Sequence, residues 1–428
     1  MKRTPSVILS TCRGVALGVA VAAGGIIACS GPPVEIVGQF EAPSGQHIAI
    51  RVRVQSEHSA NARRYLDGAV ACIGTLTSWM SAFPRNQVAI VDPPRHASPP
   101  ADASLIVLEA TPWWSSPAAM APELATARGV ARRGWSEAID ERALPAWFME
   151  GLVEYTARRA VTPLFQGVNL SPGYAMLELR FFAGFVPRFV RIRLQPDVDG
   201  DPLPVYRAHP RVDPRTPSTP EEQRSLTAKT VLALNTLELW IGQPAFDAAL
   251  AQFVTASRSQ PLTIDDFTAI ASATTGQDLS WMLTPTLRGM ATFDYAVADL
   301  QTRPSTAGGF ETAVVVERRG DGQFTGATAP PDGPFESGRG IAVLVAFEDG
   351  DRLIDTWDGR DQRKTFRYRS ASRAMSATVD PDRKLLLDVN RTNNSMAVAT
   401  RARMAATRWS ARWMLWLEQL LMTYAALV

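Results

Sequence analysis

The order of apolar and polar positions divides this chain into segments of two different periods. Residues 34–56 alternate, most clearly from Ile48 to Val54, as a half-buried strand does. From 60 to 80 the period turns helical, with Tyr65, Val70, Ile73 and Leu76 on or near one face. Two short strands are expected at 87–91 and 104–108, separated by a proline-rich loop at 93–100. A helix at 119–139 follows, then another opening at Leu144-Pro145, where proline in the first turn costs no hydrogen bond. Residues 193–222 are rich in proline, aspartate and arginine and read as a long surface loop. Helices resume at 225–241, stopped by Gly242, then at 245–255, and again after the capping pattern Thr263-Ile-Asp-Asp266. Beyond Thr302 the period becomes two. Strands are predicted at 312–317, 341–347, 352–357, 365–368 and 385–387, with Asp349-Gly350 as a hairpin turn.

The two ends differ from this body. Lys2, Arg3 and Arg13 precede an apolar stretch of about 15 residues with small residues at its end, the anatomy of a secretory signal and too short for a membrane span. Ile26-Ile27-Ala28-Cys29 resembles the bacterial lipobox, which implies lipidation of Cys29. Ser30 behind it, where an aspartate would signal inner-membrane retention, favours the outer membrane facing the periplasm. At the other end Trp409, Trp413 and Trp416 recur at helical spacing behind Arg401, Arg403, Arg408 and Arg412. The uninterrupted apolar part, 413–428, contains Glu418 and would extend about 24 Å as a helix. That leaves three readings open: a helix in the membrane interface, one docked on protein, or a span.

Composition changes the picture little. The 428 residues, 46% hydrophobic and 20% charged, suffice for two or three domains with a sizeable core. The formal charge of +2 falls to about −1 once Lys2, Arg3 and Arg13 leave with the signal, so no nucleic-acid partner is expected. Of three cysteines, Cys12 and Cys29 belong to the leader, and Cys72 is expected as a buried helix residue.

The candidate chemistry rests on Leu144-Pro-Ala-Trp-Phe-Met-Glu-Gly-Leu-Val-Glu-Tyr155. This run resembles the second half of the zinc site of the gluzincin aminopeptidases, the membrane-alanyl-aminopeptidase family, and places Glu150 at the third zinc ligand. Downstream, Ala228-Lys-Thr-Val-Leu232, then Trp240-Ile-Gly-Gln-Pro-Ala-Phe246 and the Thr263 cap are similar to the family's Tyr-Glu-Lys-Gly helix and the helices after it. The segments Trp357-Asp-Gly-Arg360 and 385–390 resemble its small β domain. The resemblance covers about residues 60–390. It implies an α+β fold: a thermolysin-like, mainly helical peptidase body followed by a small β-sandwich-like domain and a C-terminal helix. The organisation expected is a signal peptide at 1–28, a tether with one or more strands at 29–59, the peptidase-like domain at 60–302, the β domain at 303–392 and an amphipathic helix at 398–428.

The family's chemistry also requires His-Glu-x-x-His ahead of that glutamate, two imidazoles one turn apart on a helix with the Glu between them as general base. Here those positions hold Ala127, Arg128 and Ala131. The transition-state tyrosine falls on Thr227, and the glutamate of the amine-binding loop on Ala101, with Asp102 beside it. The four histidines, His47, His58, His96 and His209, show no i, i+3 or i, i+4 pair. The resemblance therefore implies a pseudopeptidase of the cell envelope that holds no zinc and binds a peptide or protein partner. The alternative is a zinc peptidase with relocated ligands such as His96, His209 and Glu150. In the leading reading Arg128 takes the metal's place in a salt bridge to Glu150, with Arg132 as second candidate. The run Asp197-Val-Asp-Gly-Asp201 lacks the calcium-loop glycine and glutamate spacing and reads as a turn.

Overall fold

A computed structural model of the chain describes residues 32–92, 105–108, 121–165, 169–170, 192–193, 202–326, 340–398 and positions 410, 413, 414 and 417. It is an α+β protein that divides into two compact units. The first comprises Met1–Ala138, Thr156–Gly200 and Arg408–Val428; the second comprises Ile139–Tyr155 and Asp201–Thr407.

In the first unit the alternating segment is not one strand but a hairpin, β1 (Val34–Glu41) and β2 (His47–Val54), paired antiparallel. Gly45, at φ +83°, makes the turn between them. Helix α1 (Ala62–Met80) crosses back so that β3 (Gln87–Val91) runs parallel to β2, and β4 (Leu105–Val107) parallel to β3. The sheet order is β1-β2-β3-β4. Ile48, Ile50, Val52 and Val54 face inward at full burial, which is why the even positions of β2 are apolar. Helix α2 (Ala121–Ala138) lies along α1 in the same direction. Small residues set the close approach: a Cβ on Gly68 would stand 2.5 Å from the Glu123 carbonyl oxygen, and one on Gly134 2.7 Å from Leu76 Cδ1. Arg64 then clasps Glu123 with two hydrogen bonds of 2.7 and 2.9 Å.

Helix α3 (Ala146–Val161) contributes its first ten residues to the second unit and the remainder to the first. In the first unit Trp135 Nε1 donates to Thr156 Oγ1 at 2.9 Å. The short strands β5 (Asn169–Leu170) and β6 (Ile192–Arg193) pair antiparallel.

The second unit corrects two sequence readings. The stretch read as a loop contains helix α4 (Pro202–Ala208), which Pro202 opens and which buries Leu203 and Tyr206 three residues apart. Helix α5 (Pro220–Ile241) begins five residues earlier than its apolar period suggests. Thr219 and Glu222 form a capping box with Pro220 behind the cap, so polar chemistry sets the start. Helices α6 (Gln243–Ser257) and α7 (Ile264–Thr275) follow as expected, the latter on the Thr263–Asp266 capping box. The single turn α8 (Ser280–Leu283) precedes the strands.

Strand β7 (Tyr295–Pro304), not anticipated, pairs with β8 (Phe310–Arg318), and β8 with β11 (Arg363–Ser370). A second sheet has the order β10-β9-β12-β13, formed by β9 (Ile341–Phe347), β10 (Arg352–Trp357), β12 (Ala374–Val379) and β13 (Ser395–Ala397). The strand predicted at 385–387 is a turn instead. The Asp380 carboxylate accepts the amides of Lys384 and Leu385, both at 2.9 Å, and the Leu386 amide goes to Thr236 Oγ1 at 3.1 Å. Side chains thus take the amides a ladder would use.

Candidate functional site

The segments that carry the resemblance meet in the second unit. Pro145 starts α3 by accepting the amides of Phe148 and Met149. Trp147, one turn before the glutamate, is buried and donates its indole N–H to the Pro214 carbonyl at 3.2 Å. Gly151, directly after Glu150, faces α5 so closely that a Cβ there would stand 2.4 Å from Thr230 Cγ2. One turn further, Tyr155 donates its hydroxyl to Glu238 Oε2 at 2.8 Å. Glu150 itself is half-buried. The two motifs are therefore the two sides of one helix crossing.

Beside Thr230, Lys229 is 2% exposed and donates to the Gly289 carbonyl at 3.0 Å. Burial pulls its ammonium down to about 8, with the Asp321 carboxylate acting in the opposite direction. The Tyr206 ring lies 6.0 Å from Lys229 Nζ. The Tyr206 hydroxyl is buried without a hydrogen-bond partner among the described residues, and its phenol is pushed up chiefly by burial. Thr227, where the resemblance expects a tyrosine, is half-buried and offers no phenol. Asp388 is 1% exposed and accepts from Asn390 N, Asn394 Nδ2 and Tyr295 N. Burial nonetheless pushes its carboxyl up to about 6.

In the first unit, Ala127 and Ala131 are both fully buried, and the Ala127 carbonyl accepts the Cys72 thiol at 3.2 Å. Burial also pushes the Cys72 thiol up, in keeping with an inert core residue. Arg128 is half-buried and Arg132 exposed on the same helix. Arg128 belongs to the first unit and Glu150 to the second.

Of the histidines, His47 and His209 are exposed. His58 is the one that periodicity gave no reason to single out: it is buried against Asp92, which closes β3. No spacing rule links positions 58 and 92; only the parallel pairing of β2 with β3 brings them together. Cys29, His96, Ala101, Asp102 and Asp197 to Asp201 lie outside the described residues, as does most of the C-terminal segment. Within that segment Trp413 and Leu417 are helical and exposed. No helix among the described residues is long and apolar enough to cross a membrane.

At the positions where the gluzincin aminopeptidases hold their zinc, the residues present here do not fit it. Two of its three protein ligand positions carry methyl groups, and methyl groups donate nothing to a metal. Among the described residues no three His, Cys, Asp or Glu side chains converge as a ligand set.

No protein-family model matches the chain, and no curated protein does. A solved structure to which it is similar is aminopeptidase A of Legionella pneumophila in complex with aspartic acid, at 15% identity and a TM-score of 0.46. That match covers 84% of this chain and 38% of the other, so the chain spans well under half of that protein's length.

Proposed function

We propose that this protein is a non-catalytic counterpart of the zinc aminopeptidases, a bacterial envelope lipoprotein anchored through Cys29, whose body binds a peptide or protein partner. The observation that carries the reading is the state of α2. The positions that should present two imidazoles are fully buried alanines, and one of them already accepts the Cys72 thiol through its carbonyl. Alanine methyls at both positions offer a metal no donor atom, while Gly151 and Thr230 still meet closely at the helix crossing. The thermolysin-like body and the β-sandwich-like domain belong to the same proposal, as does an outer-membrane location facing the periplasm. Binding follows by elimination of catalysis, because a fold does not carry an activity without its site.

The test uses the full chain, fluorogenic aminoacyl substrates and fluorescein-labelled peptides with free N-termini. The expected result is saturable peptide binding with no hydrolysis above background, with or without added zinc. Hydrolysis that a chelator abolishes and that Glu150→Ala removes would overturn the reading in favour of a zinc peptidase. Absence of both binding and hydrolysis would overturn its peptide-binding half. Cys29→Ser should move the protein from the membrane fraction to the soluble one, and an unchanged distribution would refute the anchor.

A further inference from the structure

We infer that β11 is a docking edge for an extended acidic peptide segment, which adds to the sheet β11-β8-β7 as a further antiparallel strand. β11 ends that sheet, so one of its long sides has no neighbouring strand. The hydrogen bond from Arg318 N to the Gln362 carbonyl at 2.8 Å fixes the phase of its pairing with β8. Bonded and non-bonded pairs alternate along an antiparallel ladder, and this register runs through without a bulge. Even-numbered residues of β11 therefore bond β8, while Arg363, Thr365, Arg367 and Arg369 turn their amides and carbonyls outward. Among the described residues no side chain takes those outward groups. β10, the edge strand of the facing sheet, differs, because the Asp355 carboxylate takes the Thr356 amide at 2.9 Å.

The side chains of those four residues share one row, and all four are exposed. Arg363 and Arg367 have no ion-pair partner among the described residues. Across from Arg367 on β8 stands Ala313, and across from Arg363 stands Glu317, which Arg319 engages at 3.2 Å. Arg369 meets Glu311 at 3.3 Å, but with side chains 81% and 54% exposed that pair is weak and yields to a competing carboxylate. The chain as a whole nearly balances, 44 basic against 42 acidic residues, whereas 360–373 holds six basic residues against Asp361 alone. A peptide paired to this edge brings its alternate residues directly opposite Arg363 and Arg367. A carboxylate at those positions makes charge-assisted hydrogen bonds to the guanidinium groups, and the backbone ladder supplies the rest of the affinity.

The opposite row suits apolar residues at the peptide's remaining positions. Trp357 of β10 packs on Tyr295 of β7 with 5.4 Å between ring centroids, and Asp355 accepts from the Tyr368 hydroxyl of β11 at 3.5 Å. The odd-numbered side chains of β10 thus face the sheet of β11. Leu353 continues that row and is 42% exposed, an apolar side chain for an added strand to cover. Charged residues on an edge also keep copies of a protein apart, and two β11 strands paired antiparallel would set arginine against arginine. The charge that rejects a second copy admits a strand of the opposite sign. This surface lies wholly in the second unit and does not depend on the absence of catalysis.

The test uses the full chain and a fluorescein-labelled peptide of alternating glutamate and valine, N-acetylated, C-amidated and as long as β11, followed by fluorescence polarisation. It should bind saturably and weaken as salt rises from ~50 to ~500 mM, while a lysine–valine peptide should not bind. Arg363→Glu with Arg367→Glu should cut the affinity at least ~10-fold and create binding of the lysine peptide. Arg207→Glu with Lys384→Glu, the same change of charge at exposed positions elsewhere on the second unit, should leave binding intact. Thr365→Pro removes an outward amide that β8 does not use, so it should abolish binding in a protein that still folds. Equal binding by the doubly reversed variant would overturn the inference, and binding that survives Thr365→Pro would overturn strand addition. So would the absence of saturable binding, or capture by phosphatidylglycerol vesicles through the two arginines with no peptide bound. The blocked N-terminus keeps this assay apart from the free-N-terminus peptides of the reading above, which a failure here would leave standing.

Discussion

Gly151→Ala is the substitution that tests the helix crossing most directly. The new methyl would lie 2.4 Å from Thr230 Cγ2 and 2.5 Å from Thr230 Cβ. Rotating the threonine relieves the first contact but not the second, because Cβ does not move with χ1. Rotation is itself resisted, since Thr230 Oγ1 donates to the Leu226 carbonyl at 2.9 Å and the side chain is fully buried. The two helices must therefore separate by about half an ångström merely to bring that Cβ contact to 3.0 Å. Overpacking of this kind costs ~1–3 kcal/mol, and alanine's better helix propensity returns ~1 kcal/mol. We expect a net loss of up to about 2 kcal/mol, a fall of up to ~8 °C in the melting temperature of a domain of this size. Thr230→Ala should rescue only partly, since it keeps Cβ. Thr230→Gly removes the clashing atoms, so the double variant Gly151→Ala/Thr230→Gly should be more stable than the sum of the single changes predicts. Calorimetric melting of the four proteins measures this. A Gly151→Ala protein that melts above the parent would refute the close crossing.

The two buried titrating groups predict an unusual stability profile. Asp388, raised to about 6, contributes stability below pH 3.8 that is lost as pH rises through 6; Lys229, lowered to about 8, costs stability at neutral pH that is recovered as pH rises from 8 through 10.5. Each swing is worth about 3 kcal/mol, so together they carve a minimum between pH 6 and 8. Lys229→Met should abolish the alkaline recovery, and a denaturation series that shows the same recovery in the variant would refute the assignment. Restoring the metal motif with Ala127→His, Arg128→Glu and Ala131→His should not restore zinc binding at that helix, because two rings would enter fully buried positions at ~1–3 kcal/mol each. Zinc-dependent stabilisation of that triple variant, absent from the parent, would show that α2 has room after all.

The secondary structure was legible wherever one face of an element is buried. The alternation of β2 and the helical period of α1 follow from inward rows of Ile48, Ile50, Val52 and Val54 and of Tyr65, Leu76 and their neighbours. It was illegible where side chains satisfy the backbone. Residues 385–387 are apolar enough for a strand, yet Asp380 and Thr236 take their amides. Helix α4 escaped notice because its prolines read as loop signals, although Pro202 opens it and Leu203 and Tyr206 anchor it. Glu150 could be singled out because it lies in a contiguous run. The pairing of His58 with Asp92 could not, since it depends on which strands lie side by side.

A division of labour within the motif follows from these contacts. Trp147, Gly151, Tyr155 and Lys229 each secure one helix to its surroundings, through Pro214, Thr230, Glu238 and Gly289 respectively. The positions that the resemblance would assign to chemistry hold Ala127, Arg128, Ala131 and Thr227. Groups that serve catalysis tend to cost a fold stability, whereas those that lock helices together supply it. Under the proposed non-catalytic reading, a chain released from the reaction would keep the second set and lose the first.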